Sequence, residues 1–296
     1  MEESILVQTL IGSKELPFYL RCLGSLLENS EQRIELLLHT DNTLSKSEKD
    51  LVFASFKDER ISFCDPVESE QKTLDHLSGY PLSQKLRRES IWGIEFFDPI
   101  FAIPNDPISF YIDADILFLR PFSGLFDKSV VKGGALFIRD TQWDAYCIRP
   151  WHLLGIGMKP KIVQGITTAL VCWDKRCIDW DYLEWFLAST HLQVIPEWIL
   201  PTAQAGLASM CNAKTISSYQ ITNLYPNAHI TLDTFGVHLL GSYRKDWLRR
   251  LTSDHKNQNE KKTTIRARFE DCKKRYAFGY ALNQVKRWCN TRLNYW

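Results

Sequence analysis

The sequence predicts an α/β fold with a mostly parallel central sheet flanked by helices. Two observations predict it. Residues 5–63 alternate strand-like apolar runs with helix-spaced segments, the pattern of a parallel sheet. Further on, Ile108-Ser-Phe-Tyr-Ile112 is a nearly continuous apolar run, as in a strand buried on both faces, and it leads straight into Asp113-Ala114-Asp115. Ligands bind at the carboxyl ends of strands in open α/β sheets. Two carboxylates leaving a buried strand are costly unless positive charge meets them. A divalent cation carrying a phosphorylated substrate is the candidate.

Taken in order, Ile5–Leu10 reads as the first buried strand. Gly12 and Ser13 turn the chain. Leu16, Leu20, Leu23, Leu26 and Leu27 then recur at helical spacing. Ile34–Leu38 is a second strand, and Ser45 or Ser47 caps a helix reaching about Phe56. Ile61–Phe63 is a third strand. Leu82–Phe97 reads as one helix, broken by Asp98-Pro99 and Pro104–Pro107. Beyond the Asp-x-Asp strand, Gly133–Ile138 and Ile166–Trp173 are further strands. Asp179–Ser189 and Pro201–Cys211 are helices, the latter with Pro201 in its first turn. Thr215–Asn223 and His229–Leu240 are short strand or loop pieces. Ser253–Lys262 is a polar loop. Thr264–Arg292 is predicted as a long helix with Ile265, Phe269, Cys272 and Tyr276 on one side.

The 296 residues are 45% hydrophobic and 24% charged, ordinary for a soluble globular chain. No apolar run approaches the ~20 residues of a membrane span. The acidic start Met1-Glu2-Glu3-Ser4 does not read as a signal peptide. The eight cysteines form no C-x-x-C and read as reduced thiols, which points to a cytoplasmic protein. The net charge of +1 hides an asymmetry. Residues 244–296 hold 15 basic and five acidic residues, a net of +10, whereas residues 1–243 hold 21 and 30, a net of −9. The expected division is a catalytic domain over 1–243 and a basic, mainly helical extension over 244–296. Such a tail faces phosphate, an anionic membrane or nucleic acid, or is a solvated helix face. G-x-x-x-x-G-K-[ST], G-x-S-x-G, H-E-x-x-H and G-x-G-x-x-G are all absent. That argues against a P-loop enzyme, an α/β-hydrolase, a zincin and a simple dehydrogenase.

Two stretches can carry chemistry. Asp113 and Asp115 offer hard oxygen ligands suited to Mn²⁺ or Mg²⁺. Phe235-Gly-Val-His238-Leu-Leu-Gly241-Ser-Tyr-Arg244-Lys245 sets one imidazole on an apolar run, followed by a glycine and two cations. His suits Mn²⁺, Gly241 permits close backbone approach, and Arg244 or Lys245 can neutralise a diphosphate.

The Asp113-Ala-Asp115 strand with its Leu-Arg-Pro-Phe sequel resembles the core of GT-A glycosyltransferases. His238-Leu-Leu-Gly241-Ser-Tyr-Arg244 resembles the late His-x-x-Gly-x-x-Lys element of their glycogenin-like and galactosyltransferase-like branch. The resemblance covers residues 5 to 250. It implies a GT-A, Rossmann-like sheet and a metal held by Asp113, Asp115 and His238. It implies a nucleotide-sugar donor, most simply a UDP-sugar. The donor's nucleoside would lie near Thr9, Leu10 and Asp41, with Lys85 or Arg88 beside it and Ala114, Gly241 and Arg244 or Lys245 at the diphosphate. Val163-Gln164-Gly165 resembles the Asn-x-Gly strand that lies against the sugar or acceptor. Glu197 is the nearest acid where an Asp/Glu-Gln element often sits. The resemblance thus implies a hexosyltransferase acting on a glycan, lipid or protein hydroxyl, with retention. Glu197, Asp140 and Asp144 are candidate acids for the inverting outcome.

A nucleotidyltransferase would also use Asp-x-Asp, but Gly12-Ser13-Lys14 is too slight for its glycine-rich loop. The alternative from another class is a degenerate transferase fold that binds without catalysis, its basic C-terminal region docking on nucleic acid or anionic membrane. Trp288 and Trp296, beside Lys286, Arg287 and Arg292, suit peripheral contact with such a membrane.

Overall fold

The computed structural model describes residues 4–56, 60–140, 146–148, 160–190, 196–241, 243–254, 263–282 and 285. The first half begins with β1 (Ile5–Ile11), α1 (Leu16–Asn29), β2 (Ile34–Thr40), α2 (Lys46–Ser55) and β3 (Ile61–Phe63). Ser45 caps α2 with a full capping box to Glu48. Then come α3 (Pro66–His76), α4 (Pro81–Glu89), α5 (Ile91–Phe101), β4 (Ile108–Ile112), β5 (Ile116–Phe118), β6 (Phe122–Ser123), α6 (Lys128–Val131) and β7 (Gly134–Arg139). The second half holds β8 (Lys161–Val163), β9 (Ile166–Asp174), α7 (Trp180–Thr190), α8 (Pro196–Ala208), β10 (Asn212–Ile216), β11 (Ile221–Asn223) and β12 (Gly236–His238). It ends with α9 (Arg244–Asp254), β13 (Ile265–Arg266), β14 (Phe269–Asp271) and β15 (Lys274–Tyr276).

The main sheet has eight strands in the order β14-β10-β7-β9-β4-β1-β2-β3. Strands β9 and β14 run against the other six. Alternating side chains send neighbours to opposite faces. In β7, Leu136 and Ile138 enter one core while Ala135 and Phe137 enter the other. In β9, Leu170 and Cys172 share the first core and Val171 and Trp173 the second. Burial on both faces explains the continuous apolar runs. β4 sits between β1 and β9, so it is paired on both edges as well as covered. A second, three-stranded sheet, β11-β12-β5, grows from the end of β4.

Several expectations are corrected. Residues 82–97 are not one helix: Ser90, in extended conformation, ends α4 and caps α5 through Trp92 N. Gly93 then lets α5 lie against α4, since a Cβ there would come 2.3 Å from Leu86 O. Asp98-Pro99 does not break the helix, because α5 runs on to Phe101 with Pro99 inside it. Proline removes the donor for the carbonyl four residues earlier, here Glu95. α3 was not expected, although Asp65 caps it and Pro66 opens it. Pro201 lies inside α8, which starts at Pro196. The helix expected over Thr264–Arg292 is replaced across residues 265–276 by β13, β14 and β15, which pair with β6, β10 and β8. Residues 277–282 are helical, and Trp288, Trp296 and their basic neighbours lie outside the described residues. Residues 253 and 254 of the expected loop belong to α9, and 255–262 lie outside. No helix among the described residues is long and apolar enough to cross a membrane. The described cysteines are free thiols.

One buried ion pair ties α5 to α3 and α4. Asp98 accepts from Arg87 Nε at 2.5 Å, Arg87 Nη2 at 2.9 Å, Ser69 Oγ at 2.8 Å and Thr73 Oγ1 at 3.2 Å. Arg87→Met strands that carboxylate, with an expected loss of about 3–5 kcal/mol in urea unfolding. At the other end of the sheet, Arg176 and the Gly133 N–H hold Asp174 down to about 2. The folded state binds that proton more weakly than the unfolded chain. The stabilisation is therefore complete above the ordinary carboxylate value of about 3.9 and is lost as pH falls towards 2. Asp174→Asn should flatten the decline in unfolding free energy between about pH 5 and 2.

Candidate active site

The chain leaves β4 at Ile112 and turns through Asp113-Ala114-Asp115. Asp113 N donates to Ala169 O of β9 at 2.7 Å, which ties the turn to the sheet. Ala114 is buried and both aspartates are partly exposed. β5 pairs antiparallel with β12 in a register that sets His238 opposite Ile116, beside Asp115. Ligand atoms of Asp113, Asp115 and His238 all lie within 4.8 Å of one another. The neighbouring β11 sets Asn223 opposite His238, and His238 Nδ1 lies 2.9 Å from Asn223 Oδ1.

That last contact, with the amide oxygen facing the ring, favours one tautomer. An amide oxygen only accepts, so Nδ1 carries the proton and a neutral imidazole presents its Nε2 lone pair outward. Nε2 lies 3.2 Å from Asp115 Oδ1, a buried oxygen with no hydrogen-bond partner other than this imidazole. Two facing lone pairs need a cation. A proton is one such cation: burial lowers the His238 pKa, but Asp115 and then Asp113 outweigh it and the net shift is upward. An oriented imidazole and an orphaned carboxylate oxygen equally fit a divalent ion of the Mn²⁺ or Mg²⁺ kind.

The acidic side is dense. Burial, and then the charge of Asp115, push Asp113 up to about 7, against the pull of His238 and the Tyr111 hydroxyl. Tyr111 OH donates to Asp113 Oδ1 at 3.0 Å. A third carboxyl, Glu95 of α5, sits beside both aspartates. Burial, then Asp113, then Asp115 raise its pKa well above the usual range.

Arg244, the first residue of α9, supplies the facing cation. Its Nη2 donates to Asp115 Oδ2 at 2.8 Å and its Nε to Leu239 O at 3.2 Å. Its Nη1 pairs with Glu15, and the guanidinium lies 4.4 Å over the Phe18 ring. Glu15 holds a left-handed backbone (φ 65°) just before α1, a strained geometry for a non-glycine residue. Tyr19 of the same helix stands among the acids. Burial and then Asp115, Asp113 and Asp41 raise its pKa.

The other expected residues fall less closely. Thr9 is buried with an unpartnered Oγ1, and Leu10 is partly exposed beside it. Asp41 accepts from Thr43 N at 3.0 Å, and its carboxylate lies against Gly12, where a Cβ would come 2.5 Å from Oδ2. Only glycine permits that approach. Lys85 and Arg88 are exposed on α4, Lys85 being 3.9 Å from Glu89, while the intervening Arg87 is the buried one. Lys245 is exposed, and a Cβ on Gly241 would meet open space. Gln164 is anchored through its backbone N to Lys273 O at 3.0 Å, next to the left-handed Gly165. Asp140 receives Tyr225 OH at 3.3 Å. Glu197 lies in α8 with its side chain outside the described residues, and Asp144 lies outside the described residues altogether. Glu15, Phe18, Tyr19, Glu95, Tyr111 and Asn223 were missed. Of these only Tyr111, two residues before Asp113 on the same strand face, had a local signal.

No family model matches the sequence, and no curated protein matches it either. Solved structures do. The crystal structure of galactosyltransferase LgtC with donor and acceptor sugar analogs aligns with TM-score 0.54 and 11% identity, covering 86% of this chain and 97% of that one. Mouse xyloside xylosyltransferase 1, in its apo form, aligns with TM-score 0.54 and 8% identity, covering 80% and 97%. At such identities the likeness is one of architecture: the chain has the GT-A glycosyltransferase fold.

The His238–Asn223 contact makes a testable point about the cation. Titration calorimetry with MnCl₂ should find one site in the wild type. Asn223→Ala, which frees the imidazole, should weaken it by about 10–100-fold.

Proposed function

We propose that the protein is a glycosyltransferase that moves a sugar from a nucleotide-sugar donor, most simply a UDP-sugar, to a hydroxyl acceptor. The observation that carries the reading is the convergence of Asp113, Asp115 and His238 at the carboxyl end of β4, with Arg244 beside them. Asp113, Asp115 and His238 would hold Mn²⁺ or Mg²⁺, which supplies Lewis-acid charge to the departing diphosphate. Arg244 exchanges Asp115 for phosphate oxygens, and Lys245 follows it along α9. The guanidinium stays over the Phe18 ring, which limits the ordering cost of that exchange. Asp41, Thr9 and Leu10 face the nucleoside. Gln164 and Glu197 are the candidates for contact with the sugar or acceptor. The acceptor oxygen bonds to the anomeric carbon as the bond to the diphosphate oxygen breaks. Its proton passes to that oxygen, so retention needs no strong protein base.

The pinned Arg244 favours one competing reading, a transferase fold that has lost turnover. There Arg244 neutralises Asp115 permanently, and the protein only binds. A hydrolysis screen of UDP- and GDP-sugars with and without Mn²⁺ separates the two. Transfer chemistry releases one nucleoside diphosphate in a Mn²⁺-dependent way, and Asp115→Asn lowers that release by at least about 10²-fold. Absence of release from every donor, with Asp115→Asn leaving the protein's binding intact, rejects the enzymatic reading.

A further inference from the structure

Glu95 is the group that the proposed chemistry leaves unused. It is 6% exposed, and its Oε1 has no hydrogen-bond partner. A buried carboxyl normally finds a partner, and an unsatisfied one is costly. Its surroundings make it costlier, because Asp113 and Asp115 are its charged neighbours. The backbone explains the proximity. Asp113 N is bonded to Ala169 O of β9, and the preceding Thr168 is the hydroxyl beside Glu95. Thr167 and Thr168 are partly exposed near the start of an otherwise buried strand. The β7–β9 pairing slips there, from Phe137↔Val171 to Ile138↔Thr167. The irregular stretch thus places the partly exposed Thr168 next to the turn that holds the two aspartates, with the buried Glu95 carboxyl bonded behind it. Pro99 removes the helix bond to the Glu95 carbonyl, at the turn of α5 that presents this side chain.

Resting on the transferase reading above, we propose that Glu95, seconded by Thr168, is a specificity-determining residue that hydrogen-bonds to a hydroxyl of the transferred sugar. A buried polar group left without its partner rejects any donor lacking that hydroxyl, which is how such sites discriminate strongly. The cost of keeping Glu95 Oε1 unpartnered in the free protein is then recovered on donor binding.

The test compares wild type, Glu95→Met and Glu95→Gln. Three readouts are taken: thermal midpoint, affinity for UDP with Mn²⁺, and Mn²⁺-dependent UDP release from UDP-glucose and from UDP-galactose and UDP-xylose, each of which differs from UDP-glucose at one sugar position. Glu95→Met should raise the thermal midpoint, since it removes a buried carboxyl with one unpartnered oxygen. It should leave UDP affinity within about threefold and shrink the kcat/KM ratio between best and worst donor by at least about tenfold. Glu95→Gln, which keeps a hydrogen-bonding oxygen, should restore part of that ratio, and Thr168→Val should shrink it as Glu95→Met does. An unchanged ratio in Glu95→Met, or a lowered midpoint with all donors slowed equally, overturns the proposal while leaving the transferase reading standing. Failure of the wild type to bind UDP or any other nucleoside diphosphate with Mn²⁺ overturns both.

Discussion

Two carboxylates at the end of a strand with no solvent on either side must be met by positive charge. That constraint organises the structure. β4 is paired on both edges and covered on both faces, so Asp113 and Asp115 leave it in a fixed place. An isolated buried charge costs several kcal/mol even after relaxation. The chain answers from three distant segments. β12 brings His238 by strand register, β11 brings Asn223 to orient it, and α9 begins with Arg244. Each depends on the small β11-β12-β5 sheet, which starts at the turn holding the aspartates. Metal, proton and guanidinium are alternative answers to one electrostatic demand. A site that can be satisfied in these ways can bind and release a charged ligand without refolding.

Much of the fold was legible because burial on both faces leaves a plain mark. Ile108–Ile112 and Gly133–Ile138 read as strands from composition alone, and both are strands in the main sheet. What misled was periodicity without length or partners. Ile265, Phe269, Cys272 and Tyr276 recur at spacings of four and three, which fits a helix face. The same residues lie in or next to three short strands, each of which completes a strand already present, so pairing overrode periodicity. Prolines misled in the opposite sense. Pro99 and Pro201 both lie within helices, and the Pro99 carbonyl accepts from Gln8 Nε2 at 2.8 Å and Ser109 Oγ at 2.8 Å. Asp65-Pro66, by contrast, was a readable helix start that went unread.

The candidate site was legible only where chemistry is written in residue type. Asp-x-Asp and the later His–Gly–Arg stretch drew attention to side chains that the fold brings together. Lys85 and Arg88 drew attention by charge, yet helical rotation turns them to solvent and buries Arg87 instead. Asn223 and Glu95 have no sequence signal, because their roles arise from register and helix packing between segments far apart in the chain. Glu15 is likewise an ordinary surface acid until its left-handed backbone and its pairing with Arg244 are seen.

The central claim is that one divalent cation is held by two aspartates and an imidazole whose Nε2 is aimed by Asn223. Pulsed electron paramagnetic resonance on bound Mn²⁺ tests it most directly. A ¹⁴N coupling from a directly bound imidazole should appear in the wild type and vanish in His238→Gln while Mn²⁺ is still retained by the aspartates. Mn²⁺ bound without a nitrogen coupling in the wild type, or with the same coupling in His238→Gln, would contradict the account.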